Sequence, residues 1–244
     1  MRFHANGTLF GKPSRTVPEL PASYPTSHDQ SSHWRAFVRA LDHLCMPLVL
    51  AVAIGVCAEP AYAQPAEIVS TYTSTAAKDC RVIEAPKPEP GEDGFVHVCP
   101  GMGNLIVYNA EGDLREVVSV GRTRAAAQKE PAAQAFFGPF SSTTTTVEWR
   151  HPKGGAPFAI IQRWHLADND DAGADNRPRT KQMLVVTRLP PGPVCHVAFI
   201  DVKANPNANE IARQAADKAH DFTCGKDKVR VEGLSGRAVE LARP

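Results

Sequence analysis

Val194-Cys195-His196-Val197-Ala198-Phe199-Ile200-Asp201-Val202, then Lys203-Ala204-Asn205-Pro206-Asn207-Ala208-Asn209, then Glu210-Ile211-Ala212-Arg213-Gln214-Ala215-Ala216-Asp217-Lys218-Ala219-His220-Asp221-Phe222-Thr223-Cys224 is the stretch in which strand, turn, helix and cysteine spacing agree. The first run is rich in β-formers and bounded by Pro193 and Asn205-Pro206, so it reads as a buried strand too short for a helix. Asn205-Pro206 breaks it. Asn207 with Glu210 three positions on is an Asn variant of the capping box, which predicts a helix over 207–222. Ile211, Ala215, Ala219 and Phe222 fall on one face of that helix, the face expected to lie on the sheet. Cys195 and Cys224 bracket this strand-helix unit.

Outward from that unit, the chain divides at its N-terminal third. Residues 1–33 are Gly, Pro, Ser, Thr and His without an apolar period, the composition of a segment that cannot offset its own ordering entropy. They read as disordered, or as an extension assigned upstream of the true start, with Val38 as the alternative start. Arg35 and Arg39, the apolar run Leu44–Ala58 and Ala61-Tyr62-Ala63 have the order of a secretory signal peptide over 34–63 with cleavage after Ala63. The apolar run falls short of the roughly 20 residues a spanning helix needs, which predicts no stable membrane insertion after cleavage. Cys57 follows Val56, too bulky for a lipidation site. Residues 64–244 are then expected to form one exported domain.

Cleavage there removes five of 27 basic and four of 26 acidic residues, so the formal net charge falls from +1 to zero. A balanced chain with no Lys/Arg run interleaved with aromatics argues against nucleic acid as a partner. Of six cysteines, Cys80, Cys99, Cys195 and Cys224 remain. An even set in an exported chain reads as two disulfides. Cys80 with Cys99 and Cys195 with Cys224 is the expected pairing, because each pair closes one local unit.

Strands are expected near Glu67–Ser74, Phe95–Cys99, Leu105–Tyr108 and Leu114–Val120, the last three as a meander turning at Pro100–Gly103 and Asn109–Asp113. The Pro-rich 85–94 segment reads as an exposed loop. Pro131 limits the Ala-rich 123–134 segment to one or two helical turns, and Phe136-Phe137-Gly138-Pro139-Phe140 reads as an aromatic plug at the edge of the core. Thr143–Arg150 and Phe158–His165 form a hairpin that would put Val147, Trp149, Phe158, Ile160 and Trp164 on one face. Met183–Arg188 and Val194–Val202 form another, and Val229–Glu232 the last strand. The predicted class is α+β: an antiparallel sheet of about seven or eight strands with one principal C-terminal helix and two disulfides.

Chemistry-bearing motifs are few. The acidic loop from Asp168 departs from the EF-hand pattern at Ala172 and Arg179. His97-x-Cys99 with Cys195-His196 is a poor zinc set, because adjacent strand side chains point to opposite faces and an oxidising compartment competes for the thiols. No nucleophile elbow, phosphate loop, dinucleotide fingerprint or His-Glu-x-x-His is found beyond residue 63, so no cofactor or metal is expected. Glu148, Arg150, Arg163 and His165 form a polar stripe on the second face of the 143–165 hairpin, the candidate binding residues. The sequence thus predicts an exported, periplasmic or secreted, non-enzymatic protein whose partner is an envelope or extracellular protein; an inhibitor of an envelope hydrolase is one form of it. The alternative is a secreted hydrolase drawing acid and base from Glu148, His165, His196 and Asp201. One concave pocket holding two or more of those four would favour the enzyme.

Overall fold

The computed structural model describes residues 66–84 and 94–243. The readings made on residues 1–63, and nearly all of the Pro-rich loop, lie outside the described residues.

The alternating segments form strands β1 (Ile68–Ser74), β2 (Arg81–Glu84), β3 (Gly94–Pro100), β4 (Ile106–Gly112) and β5 (Arg115–Gly121). Helix α1 (Arg124–Lys129) begins at Thr123, whose hydroxyl accepts from Ala126 N, and stops before Pro131. The long strands β6 (Ser141–Pro152), β7 (Ala159–Ala172) and β8 (Pro178–Arg188) follow, then β9 (Cys195–Asp201), α2 (Ala208–Asp217), β10 (Arg230–Val231) and α3 (Arg237–Ala242). The spatial order is β10-β9-β8-β7-β6-β5-β4-β3-β2, with β1 paired to β6.

The ten-stranded sheet is larger than expected, and mixed where an antiparallel one was predicted. Both parallel contacts have one cause. A strand reached through a helical crossover runs in the same direction as the strand before it. β10 pairs with β9 after α2, and β6 meets β5 at Arg115 and Ser141 after α1. β6 is shared, with β7 along one edge and β1 along the other over Thr146–Pro152.

One apolar cluster joins Val107, Val118 and Val120 of the meander to Val147, Trp149, Ile160, Trp164, Met183 and Val185 of β6–β8, so the sheet folds its inner face over a common core. Burying each such side chain contributes roughly 1.5–3 kcal/mol. Trp149 is fully buried and its indole N–H donates to Thr73 Oγ1 at 2.8 Å, which satisfies the polar edge of the ring. On the outer face of β7–β9, Ile161, Leu184, Val186, Ala198 and Ile200 take the small residues Ala208, Ala212, Ala215 and Ala216 of α2. α1 covers Tyr108, Ala110 and Val117, and sits so close that a Cβ at Gly121 would lie 2.6 Å from Ala127 N. Phe158 departs from its expected face and packs with the α2 cluster. It precedes β7, where strand alternation does not hold, and its N–H bonds Arg150 O at 3.0 Å.

The principal helix is shorter than predicted, ending at Asp217 before a 3₁₀ turn over Ala219–Asp221 that carries Phe222 into the core. The capping box does not form: Asn207 makes no side-chain cap, and the Glu210 carboxylate accepts from Gln214. Buried Asn205 organises the turn instead, donating to Asp201 O and Leu234 O and accepting from Leu234 N, each at 2.8 Å. Both expected disulfides, Cys80–Cys99 and Cys195–Cys224, are formed. Most of the expected acidic loop is strand, since β7 runs to Ala172 and β8 starts at Pro178. Asp168 is buried there and gripped by Arg237 of α3 at 2.9 and 2.7 Å, which holds its carboxyl down to about 2.

Candidate functional site

Three of the four residues of the polar stripe on the second face of the β6–β7 hairpin, Glu148, Arg150 and Arg163, are bonded to α2. Glu148 receives Arg213 of the helix at 2.7 Å and the Ser70 hydroxyl at 2.5 Å. Arg150 forks onto Asp217 at 2.9 and 2.8 Å and donates to Ser70 at 2.8 Å. Arg163 donates to Gln182 at 2.8 Å and Asn209 at 3.4 Å. His165 is half-buried, and desolvation followed by the nearby Arg163 charge lowers its pKa. Two charge pairs therefore fasten α2 to β6. Asp217→Asn is expected to cost about 2 kcal/mol, below the usual range for a buried pair because Asp217 is 31% exposed while the Arg150 side chain left behind is only 9% exposed. Glu67→Gln, which breaks an exposed pair with Lys153, is expected to leave stability unchanged, and urea unfolding of both variants checks the contrast.

Asp201, one of the four acid-base candidates, is buried. Its oxygens accept from Ala204 N at 2.8 Å and Ala238 N at 2.9 Å, so it caps the start of α3. Gly236 is required beside it, because a Cβ there would stand 2.6 Å from the carboxylate. The cavity of about 720 Å³ along this region holds Asp201 but not Glu148, His165 or His196. The zinc candidates are dispersed as well: both cysteines are in disulfides, and His97 stacks on Phe95 at 4.5 Å.

His196 has a different setting. A bulge between β8 and β9 pairs Val186 with Ala198 but Thr187 with His196, so alternation slips by one residue. His196 and Phe199, three apart, then share the inner face, while Cys195 and Val197 join the α2 side. Phe137 lies nearly parallel to the imidazole at 6.0 Å, and meets Phe199 at 5.6 Å and Trp164 at 5.0 Å edge to face. The imidazole is 5% exposed among these rings, and its burial pushes the pKa down to about 4, so it is neutral at pH 7. Its Nε2 has no hydrogen-bond partner among the described residues.

Above this cluster opens a cleft of about 650 Å³, in the range that holds a drug-sized molecule. One wall is the segment after α1, carrying Pro131, Ala135, Phe136 and Phe137. It is fixed to the start of β9, where Ala132 N donates to Val194 O at 3.0 Å and Val194 N to Glu130 Oε2 at 2.8 Å. The other wall runs from Phe222 to Val231, held by the Cys195–Cys224 bridge and by the pairing of β10 with β9. Phe136 and Val229 at the mouth are exposed. Chemically the cleft offers aromatic faces and one neutral imidazole, a set suited to holding an apolar group. Compared with protein-family models, with curated proteins and with solved structures, the chain matches none.

The sequence pointed to His196 and the Phe136–Phe140 cluster separately, one as an acid-base candidate and the other as a plug. Phe137 does plug the core. Its meeting with Trp164, His196 and Phe199 had no signal in the sequence, since three distant segments and a bulge are needed to produce it.

Proposed function

We propose that this chain is an exported binding protein whose ligand enters the aromatic cleft above His196. The observation that carries the reading is the cleft itself: Phe137 and Phe199 pack on a neutral, partnerless imidazole and Phe222 lines the same cleft, the mostly apolar surface with few polar groups that marks a ligand site. The inner face of the sheet is filled by the core and α2 covers its other side, which moves the binding role from the sheet face to this cleft. Two disulfides fit maturation in an oxidising compartment such as a periplasm or the cell exterior. Among the described residues no helix is long and apolar enough to cross a membrane. The alternative, a secreted hydrolase, has less support. Glu148 is engaged by Arg213, Asp201 caps a helix, His196 is walled by rings, and no cavity described above holds two of the four candidates.

Titration with 1-naphthalenemethanol, followed by chemical-shift mapping, is expected to perturb Phe137, Phe199 and Phe222 together. Ala135→Trp, which fills the cleft from its wall, is expected to weaken binding by about tenfold or more, the effect of losing some 1.4 kcal/mol of contact. Undiminished binding in that variant, or perturbations confined to other surfaces, would remove the cleft from consideration.

A further inference from the structure

The rim of the cleft carries two cations against one carboxylate, a net positive charge. Lys228 and Arg243 line it, and neither is drawn into an ion pair among the described residues. The one acidic residue of the lining is Asp227, whose Oδ2 accepts from Thr223 N at 2.7 Å in the turn carrying Lys228; its single charge leaves the rim positive by one. The floor below is aromatic, and His196 is the one polar side chain there, with a nitrogen that no described residue satisfies.

We infer that the ligand of this cleft is a small amphiphile, an apolar aromatic or aliphatic body with a single carboxylate, whose body lies on Phe137, Phe199 and Phe222 and whose carboxylate meets Lys228 and Arg243 at the mouth. The inference rests on the reading of the cleft as the binding site. The apolar body accounts for the rings and the exposed Phe136, since burying them and the ligand together removes apolar surface from water. The charge complement accounts for the rim, where an anion pairs with two exposed cations. A cationic ligand of the same shape would meet them as like charges and be rejected.

Three probes of one shape test it: 1-naphthoate, 1-naphthalenemethanol and 1-naphthylmethylammonium, titrated by calorimetry into the full mature protein at low ionic strength. The expected order of affinity is anion, neutral, cation, with about fivefold between successive probes, the ratio given by roughly 1 kcal/mol of rim electrostatics. In about 1 M salt, where the screening length is about 3 Å, the three affinities should converge. Lys228→Gln with Arg243→Gln removes two exposed charges and no core contact, and is expected to abolish the anion preference while leaving the neutral probe unchanged. If anion and neutral probes bind alike in the unsubstituted protein, or if the double variant keeps the preference, the carboxylate assignment is wrong although the cleft stands. If no probe binds, or if Ala135→Trp leaves all three unaffected, the cleft reading itself fails.

Discussion

Reduction of both disulfides is expected to unfold the protein. Cys80–Cys99 closes a chain separation of 19 residues and Cys195–Cys224 one of 29. Loops of this size constrain the unfolded chain by about 3 to 4 kcal/mol each. The two loops do not overlap in sequence and the bridges lie in different clusters, so their contributions should add. Their sum, about 7 kcal/mol, is comparable with the entire stability of an ordinary domain, about 5–15 kcal/mol. Urea unfolding followed by the fluorescence of buried Trp149 and Trp164 should show a cooperative transition in the oxidised protein and no native baseline after reduction. The double variants Cys80→Ala/Cys99→Ala and Cys195→Ala/Cys224→Ala should each remain folded with a midpoint lowered by the single-bridge amount. The second should also lose naphthyl binding while still folded, because Cys224 anchors the wall that begins at Phe222. A reduced protein with the midpoint of the oxidised one would show that loop closure contributes nothing here.

The parts of this fold that could be read in the sequence are those set by local spacing. The 143–165 hairpin was legible because β-branched and aromatic residues alternate over two runs, and the two runs do pair, with Thr143 opposite Trp164. The buried face of α2 and the turn after it was legible from Ala215, Ala219 and Phe222, and the disulfides from cysteines bracketing local units. What escaped is set by contacts between distant segments. The parallel pairings depend on where a crossover sets the chain down, which no period encodes. α3 is six residues long, too short for a periodic signal, and its cap, Asp201, lies 36 residues upstream of its first residue, Arg237. Glu148 and Arg150 looked like a free polar stripe because their partners, Arg213 and Asp217, are 65 and 67 residues away. The cleft was hidden for the same reason, and for one more: strand alternation pairs His196 with Ala198, whereas the bulge pairs it with Phe199 on the inner face.

Buried His196 should make the protein acid-labile well above the range of its carboxylates. The unfolded imidazole takes up a proton near pH 6.5, while the folded one, enclosed by Phe137, Trp164 and Phe199, does so only near pH 4. Between those values the unfolded state binds the extra proton, so stability is complete above about pH 6.5 and falls as the pH drops through the window. The loss reaches about 3 kcal/mol by pH 4. Asp168 does not compete there, because its carboxyl is held down to about 2 by Arg237 and its contribution persists until the pH falls below the ordinary aspartate value. His97 and His165 are also lowered, chiefly by burial, and act in the same direction. Glu116 acts oppositely. Its burial raises the carboxyl despite bonds from Thr143 N and Oγ1, so its neutral form favours folding on acidification. The His196 share is isolated by difference. His196→Gln keeps a polar side chain without a titrating ring, and the gap in unfolding free energy between it and the unsubstituted protein should narrow by about 3 kcal/mol from pH 7 to pH 4. A gap that stays constant across that range would mean the imidazole is solvated in the folded protein. That result would also remove the neutral, partnerless nitrogen on which the cleft's ligand site is built.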